Sequence, residues 1–217
     1  MTDFLSFGGE RAVTLSVLMP RWGMWVADVT LALEKSTPAT APLVIGDLSL
    51  LGTVFRGGAD EGARTARIVG GYGGWRKDVA AQDYRGASVM ASTVLRDAAS
   101  AVGERIAMDT QDTNLQRFTR EAGPASRALR QVAGASWWIA ADGVTHIGPR
   151  PTGKVKKDFV IISHVAKFNK LEIATETLAE WVPGNTFLDL NGGTQTISSV
   201  TIESTNAGKL RVGVLSS

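Results

Sequence analysis

The stretch from Trp181 to Val214 constrains the fold most. It alternates short β-branched or apolar runs with turn signals at Pro183-Gly184, Asn191-Gly192-Gly193 and Asn206-Ala207-Gly208. Gly and Asn tolerate the positive φ that tight strand connections need, so these positions punctuate strands. Between the last two turns, Thr196–Glu203 carries its apolar residues at Ile197, Val200 and Ile202. A row of open strands is an aggregation hazard. Such a segment is expected to close into a small barrel or to pair with a partner's edge. It holds no nucleophile–base pair, no metal-ligand spacing and no phosphate loop, so the chain reads as a building block rather than an enzyme.

Composition narrows the class. At 217 residues and 44% hydrophobic, the chain can bury one large or two small cores. No run approaches the roughly 18 apolar residues of a membrane span. The N-terminus lacks a basic region ahead of an apolar core, so no signal peptide is expected. Cys is absent, which removes disulfides, thiol catalysis and zinc-thiolate sites. A net charge of +2 is too small an excess for a dedicated DNA-binding domain. Abundant glycine (24) with six Trp suits a mostly β protein with many turns.

Along residues 1–87 the period is two. Val13, Leu15 and Val17 share one face, as do Trp25, Ala27, Val29, Leu31 and Leu33. A polar loop over Glu34–Pro42 leads to Leu43–Ile45, a Gly46-Asp47 turn and Leu48–Phe55. Ala63–Val69, the glycine cluster Gly70–Gly74 and Lys77–Tyr84 follow. This is barrel or sandwich spacing. From 88 to 150 the period changes. A helix is expected from a Ser88 cap to Gly103, and a second from Pro124 to Gly134. Trp137-Trp138-Ile139 and Val144–Ile147 around Asp142-Gly143 read as a hairpin. Pro149, Pro151 and Gly153 mark the internal boundary. In 151–217, Phe159–Val165 and Lys170–Thr175 lead into the strand-and-turn segment. The fold class is α+β, mostly β: two small antiparallel barrels, 1–87 and 151–217, with a helical and hairpin insert, 88–150, between them.

Several constellations have a bland and a chemical reading. A phosphate cradle at Gly70–Gly74 would need a following helix, and Trp75-Arg76-Lys77 is strand-like; a turn needing φ > 0 is the better reading. His146 and His164 have no third His or Cys ligand close by; Asp142 and Asp158 could contribute oxygen, but nothing in the spacing demands it. Asp28, Asp47, Asp60, Glu61, Glu172, Glu176 and Glu180 are scattered, with no glycosidase-like pair marked by spacing. No cofactor site is expected. Arg56, Arg64, Arg67, Arg76, Lys77 and Arg85 form one basic run, and Lys154, Lys156 and Lys157 another; either is a solvated rim or a face toward an acidic partner. Trp22 and Trp25 flank a bend after Pro20. Trp137 and Trp138 point to opposite faces of one strand, one toward the core and one outward. Trp22, Trp25, Trp138, Arg64, Arg67 and Arg76 are the candidate interface residues. Surface Trp would alternatively make a stacking platform of a carbohydrate-binding module for host cell-surface glycan.

Three stretches carry a resemblance. They are Ile45–Arg56 running into Arg67–Arg76, the helix Ser92–Gly103, and Leu129–Ile147 together with the Val182–Phe187 turn and strand. In this order the chain resembles the tail hub, or baseplate hub, proteins of tailed bacteriophages, fold relatives of the hub part of type VI secretion spike proteins. The likeness is to an architecture over most of residues 12–214, and no catalytic residue carries over. It implies a homotrimer in the virion tail tip or baseplate, assembled in the host cytoplasm. Each chain would give two barrels to a ring between the tail tube or distal tail protein and the spike or fibre protein. DNA would pass through without specific binding, so the Arg64–Arg85 run is expected to face a protein neighbour or solvent rather than the pore.

Overall fold

A computed structural model describes residues 4–32, 38–60, 62–86, 88–156, 159–189, 191–204 and 210–217. Leu33, residues 34–37 of the polar loop, Glu61, Lys157, Asp158 and the Asn206-Ala207-Gly208 turn lie outside the described residues.

The first half begins with β1 (Leu5–Phe7), β2 (Glu10–Pro20), β3 (Val26–Ala32), β4 (Thr40–Ile45), β5 (Leu48–Asp60) and β6 (Ala63–Gly70). Their order, β1-β4-β5-β6-β3-β2 and back to β1, closes a six-stranded antiparallel barrel. Alternation explains it. Ala27, Val29 and Leu31 of β3 and Leu15, Val17 and Met19 of β2 point inward and are buried, while Asp28 and Ser16 point out. The β2–β3 register shifts between Ala12 and Thr14. This bulge buries Ala12 instead of Val13 and breaks the face expected for Val13, Leu15 and Val17. Gly46, at φ +58°, makes the expected turn between β4 and β5.

The middle contains β7 (Asp78–Val79), β8 (Gln82–Tyr84), α1 (Ala91–Val102), β9 (Ile106–Met108), β10 (Phe118–Arg120), β11 (Gly123–Pro124), α2 (Ser126–Ala133), β12 (Trp137–Ile139) and β13 (Thr145–Ile147). Ser88 does not cap α1. Met90 occupies that position, and Asp112 reaches in from a later loop to accept the Ser92 N–H at 3.0 Å and its hydroxyl. Gly103 ends α1 in the left-handed region at φ +75°. Pro124 belongs to a short bridge with β7, and α2 starts after it. The β12–β13 hairpin forms as expected, with Asp142 accepting the Val144 N–H. The insert is tied to the barrel through Gly23 N–H to Trp137 O (2.6 Å) and Leu51 N–H to Ala141 O (2.7 Å).

The last part contains β14 (Phe159–Val165), β15 (Lys170–Thr175), β16 (Thr186–Leu188), β17 (Thr194–Ser204) and β18 (Leu210–Ser216). Here the order is β17-β18-β15-β14, with β16 on the first half of β17. The spacing of Ile197, Val200 and Ile202 reflects a register shift between Ile197 and Ser199, which leaves all three fully buried. The sheet rolls around its own aromatic core: Phe159 of β14 meets Trp181 edge-on at 4.8 Å and Phe187 of β16 at 6.1 Å. Yet no backbone pairing joins β14 to β16 among the described residues. The structure thus shows one closed barrel, where two were expected, and a rolled sheet beside it. The reason lies in β2 and β17. Glu10 and Arg11 of β2 close the barrel against β1, while Leu15–Pro20 pair with Ser199–Ser204 of β17. That joint fuses the halves into one 11-stranded sheet across the expected boundary near Pro149.

Candidate functional site

Two strand edges of the fused sheet lack a partner among the described residues, the second half of β5 and the end strand β14. β5 pairs with β4 only as far as Thr53 and Thr40, and beyond that only with β6. The other edge of Phe55–Ala59 is unpaired among the described residues, and these residues are exposed. At the far end β14 pairs only with β15. It carries Val160 at 66% exposure and Ile162 at 60%, with Phe168 just beyond it and Leu188 on β16 also exposed. Natural sheets blunt an edge with Lys, Pro, a β-bulge or a cover, and β14 carries one bulge, at Ile162, in an otherwise apolar edge. An apolar, uncovered edge is a surface built to be paired.

The outward face of the sheet is polar and concave, with a hollow of about 530 Å³ over Thr14, Ser16, Asp28, Thr30, Arg56 and Arg67. Cross-strand register sets Arg56, Arg67, Asp28, Ser16, Glu203 and Arg211 in one row. Arg67 grips Asp28 with both arms of its fork, at 2.8 and 2.6 Å. This hydrogen bond, above all, holds the Asp28 carboxyl below its usual range. Charges of both signs therefore share the face.

The glycine cluster does cradle an anion, but one of the chain's own. Tyr72 and Gly74 donate backbone N–H groups to the two oxygens of Glu104, at 3.3 and 2.5 Å. Gly71 and Gly73 take the positive φ values that turn these amides inward. Burial pushes the Glu104 pKa up, against the pull of those amides. Beside it the Trp75 indole N–H donates to buried Thr145 of the hairpin at 2.8 Å. The cluster is a fastening between barrel and insert.

The candidate interface residues do not converge. Trp25 is buried, with its indole packed under Gly52 and Gly70. Trp138 is buried too, stacked on His146 at 4.5 Å. Neither offers a ring face to a sugar or a partner. Trp22 is half-buried beneath Arg21 and lines a separate cavity beside α1 and α2. Trp137 is the more exposed of the hairpin pair. Arg64 and Arg67 lie on β6, and exposed Arg76 covers the Phe55 ring at 4.2 Å, next to the free edge of β5. His146 bonds Asp109 at 2.5 Å, while His164 stands on β14. No group of three or more His, Asp or Glu side chains is placed to hold a metal among the described residues. Sequence reasoning missed the β5 and β14 edges as sites, because edge status depends on the pairing partner.

No protein-family model matches the chain, and no curated protein matches it in sequence. Solved structures do. The E. coli c3393 protein, a component of the type VI secretion system described as similar to the T4 bacteriophage tail proteins gp27 and gp5, matches with a TM-score of 0.68 at 9% identity, over 98% of this chain and 76% of its own. A tail protein from Neisseria meningitidis MC58 matches with a TM-score of 0.66 at 12% identity, over 98% and 95%. The tail protein of prophage MuSo2 from Shewanella oneidensis matches with a TM-score of 0.60 at 11% identity, over 97% and 96%. At these identities the likeness is one of fold, and it spans both halves and the insert. The chain is a fold relative of phage tail proteins and of this type VI secretion component.

Proposed function

We propose that this protein is a structural component of a phage tail, a hub ring at the tail tip or baseplate that joins the tail tube to the spike or fibre. The observation that carries the reading is the pair of unpaired edges, one along the second half of the barrel strand β5 and one on the end strand β14. An edge cannot pair with itself within the chain, so it needs another copy. A β14 edge meeting the β5 edge of the next copy is a heterologous contact, which closes a ring if the rotation per subunit allows. The closed barrel and the rolled sheet beside it then act as two similar units per chain, and a homotrimer presents six units to the tube. The likeness to tail proteins supports this use of the fold.

The concave polar face is the wall of the channel in this reading. Arg67 stands on it but is matched by Asp28, so the wall offers passing phosphate no continuous cationic track. This revises the expectation that the whole Arg64–Arg85 run stays away from the pore. With Trp25 and Trp138 buried, the rival sugar-binding reading would rest on half-buried Trp22 alone.

The first test is absolute mass in solution, by light scattering behind a sizing column over a tenfold concentration range. A stable species at three times the 23.0 kDa chain mass, 69.0 kDa, is expected. A monomer at every concentration, with no ring in negatively stained fields, overturns the proposal.

A further inference from the structure

A second cavity, of about 550 Å³, lies where barrel, insert and C-terminal sheet meet, and this is the volume of a ligand site. Its wall is largely apolar, with Pro20, Leu48, Trp138 and Val182, and it holds Arg150 and Asn185. Arg150 is the unusual member. One arm of its guanidinium, Nη1, donates to the Pro20 and Arg21 carbonyls at 3.3 and 3.4 Å, long bonds that latch the end of β2. The carbon of the fork sits 4.5 Å from the Trp138 ring. No carboxylate lies within ion-pair distance of it among the described residues. Asp47, in the same cavity, accepts the Leu178 and Ala179 N–H groups on one carboxylate oxygen, Oδ1, and is not within ion-pair distance of Arg150. The charge that acts on Arg150 is another cation, Arg21, whose Nε is itself buried without a partner. The Trp138 indole N–H likewise has none. Burial, reinforced by Arg21, brings the Arg150 pKa down to about 10.

A half-buried cation without a counter-ion is costly, and proteins usually match one with an acid. The latch uses one arm of a five-donor fork, and a bidentate carboxylate is the partner that fits the remaining donors. We propose that this cavity is a binding site for a carboxylate carried on an apolar body, with Arg150 as the anion-binding residue and the wall of Pro20, Leu48 and Val182 taking the apolar part. The site does not depend on the ring, since every residue of it belongs to one copy.

The experiment uses the full chain, labelled with ¹⁵N, and follows the Trp138 indole and Asn185 amide signals. The probes are phenylacetate and its neutral isostere phenylacetamide. Phenylacetate is expected to bind about tenfold more tightly, as a charge-assisted fork contact requires. Arg150→Met should bring the two probes to equal affinity, and Arg150→Lys should keep part of the preference. Two further probes, capped Leu-Asp-Leu and capped Leu-Asn-Leu peptides, separate the sources. An Asp peptide that outbinds phenylacetate assigns the site to an acidic segment of a partner protein, and the reverse order assigns it to a free acid. If acid and amide bind alike, if neither moves these signals, or if the preference survives in Arg150→Met, the proposal is overturned. Should Arg150→Met fail to fold, the acid-to-amide ratio in the unmodified chain and in Arg150→Lys still decides it.

Discussion

A lysine at Ile162 gives the sharpest test of the ring. Ile162 is 60% exposed on the free edge of β14, so its loss should leave the isolated subunit within about 0.5 kcal/mol of its original stability. In a ring the same side chain is covered by the next copy. Fully burying an Ile side chain contributes about 1.5–3 kcal/mol, so completing the burial of Ile162 contributes about 1–2 kcal/mol. Lys loses that and must also lift its amine out of the joint, for a total near 2–3 kcal/mol per contact. A closed trimer has as many contacts as chains, so the change counts three times, about 6–9 kcal/mol for full dissociation. The concentration at the midpoint between trimer and monomer then rises by about two to three decades.

The assay is the mass measurement already described, run on Ile162→Lys beside the parent chain. The parent should hold 69.0 kDa where the variant falls to 23.0 kDa, with unchanged circular dichroism. A second variant, Ala59→Lys on the free edge of β5, should dissociate in the same way. Mixing the two is the decisive step. In a head-to-tail contact each variant keeps one sound edge, so the mixture should form a single restored joint and a species of twice the chain mass, 46.0 kDa. A β14-to-β14 contact gives no such rescue. If Ile162→Lys keeps the parent mass at matched concentration, or if the mixture stays monomeric, the assignment of these two edges is refuted.

Two further perturbations follow from the geometry. Asp28→Asn frees Arg67 on the sheet face, adding one positive charge per copy, so the assembled ring should retain a DNA duplex more strongly, with a steeper salt dependence in filter binding; equal retention argues against that face as the channel wall. Glu104→Ala strands the buried Tyr72 and Gly74 amides and should cost about 2–5 kcal/mol in urea unfolding, and an unchanged midpoint would deny the fastening role. Because burial raises the Glu104 pKa, its protonated form favours the fold: that share of stability is complete below the ordinary value of 4.5 and is lost as pH rises through the folded value. Over that window the parent chain should therefore lose more stability with rising pH than Glu104→Gln does.

Strand positions were legible because alternation is a local signal. Ala27, Val29 and Leu31 announce the inward face of β3 without reference to anything else. The turns at Gly46, Gly143 and Gly192 were equally plain, since each takes a positive φ. What failed was everything decided by a distant partner. The α1 cap comes from Asp112, in a loop beyond the helix, so Ser88 looked like the better candidate. The exposure of a Trp depends on what covers it, and both Trp25 and Trp138 are covered from other segments. The anion in the Gly70–Gly74 turn proved to be Glu104, which no spacing rule connects to those glycines. Nor does any pattern inside β17 say that its second half, while still paired with β18, will take β2 on its other edge.

That last pairing is the key to the assembly. The β2–β17 joint shows that a strand of the first half can accept a strand of the second in a continuous antiparallel ladder. Inside one chain the joint is guaranteed by covalent connection, and it uses up one edge of each half. The edges left over, Phe55–Ala59 and β14, are again one from each half. A second joint of the same kind can therefore be made only between chains, and making it uses the remaining edges without creating new ones. Repeating the alternation of covalent and non-covalent joints produces a belt with no free edge, provided it closes. In the proposed ring both edges are paired, where an open filament would always keep two exposed, one of them the apolar β14 edge.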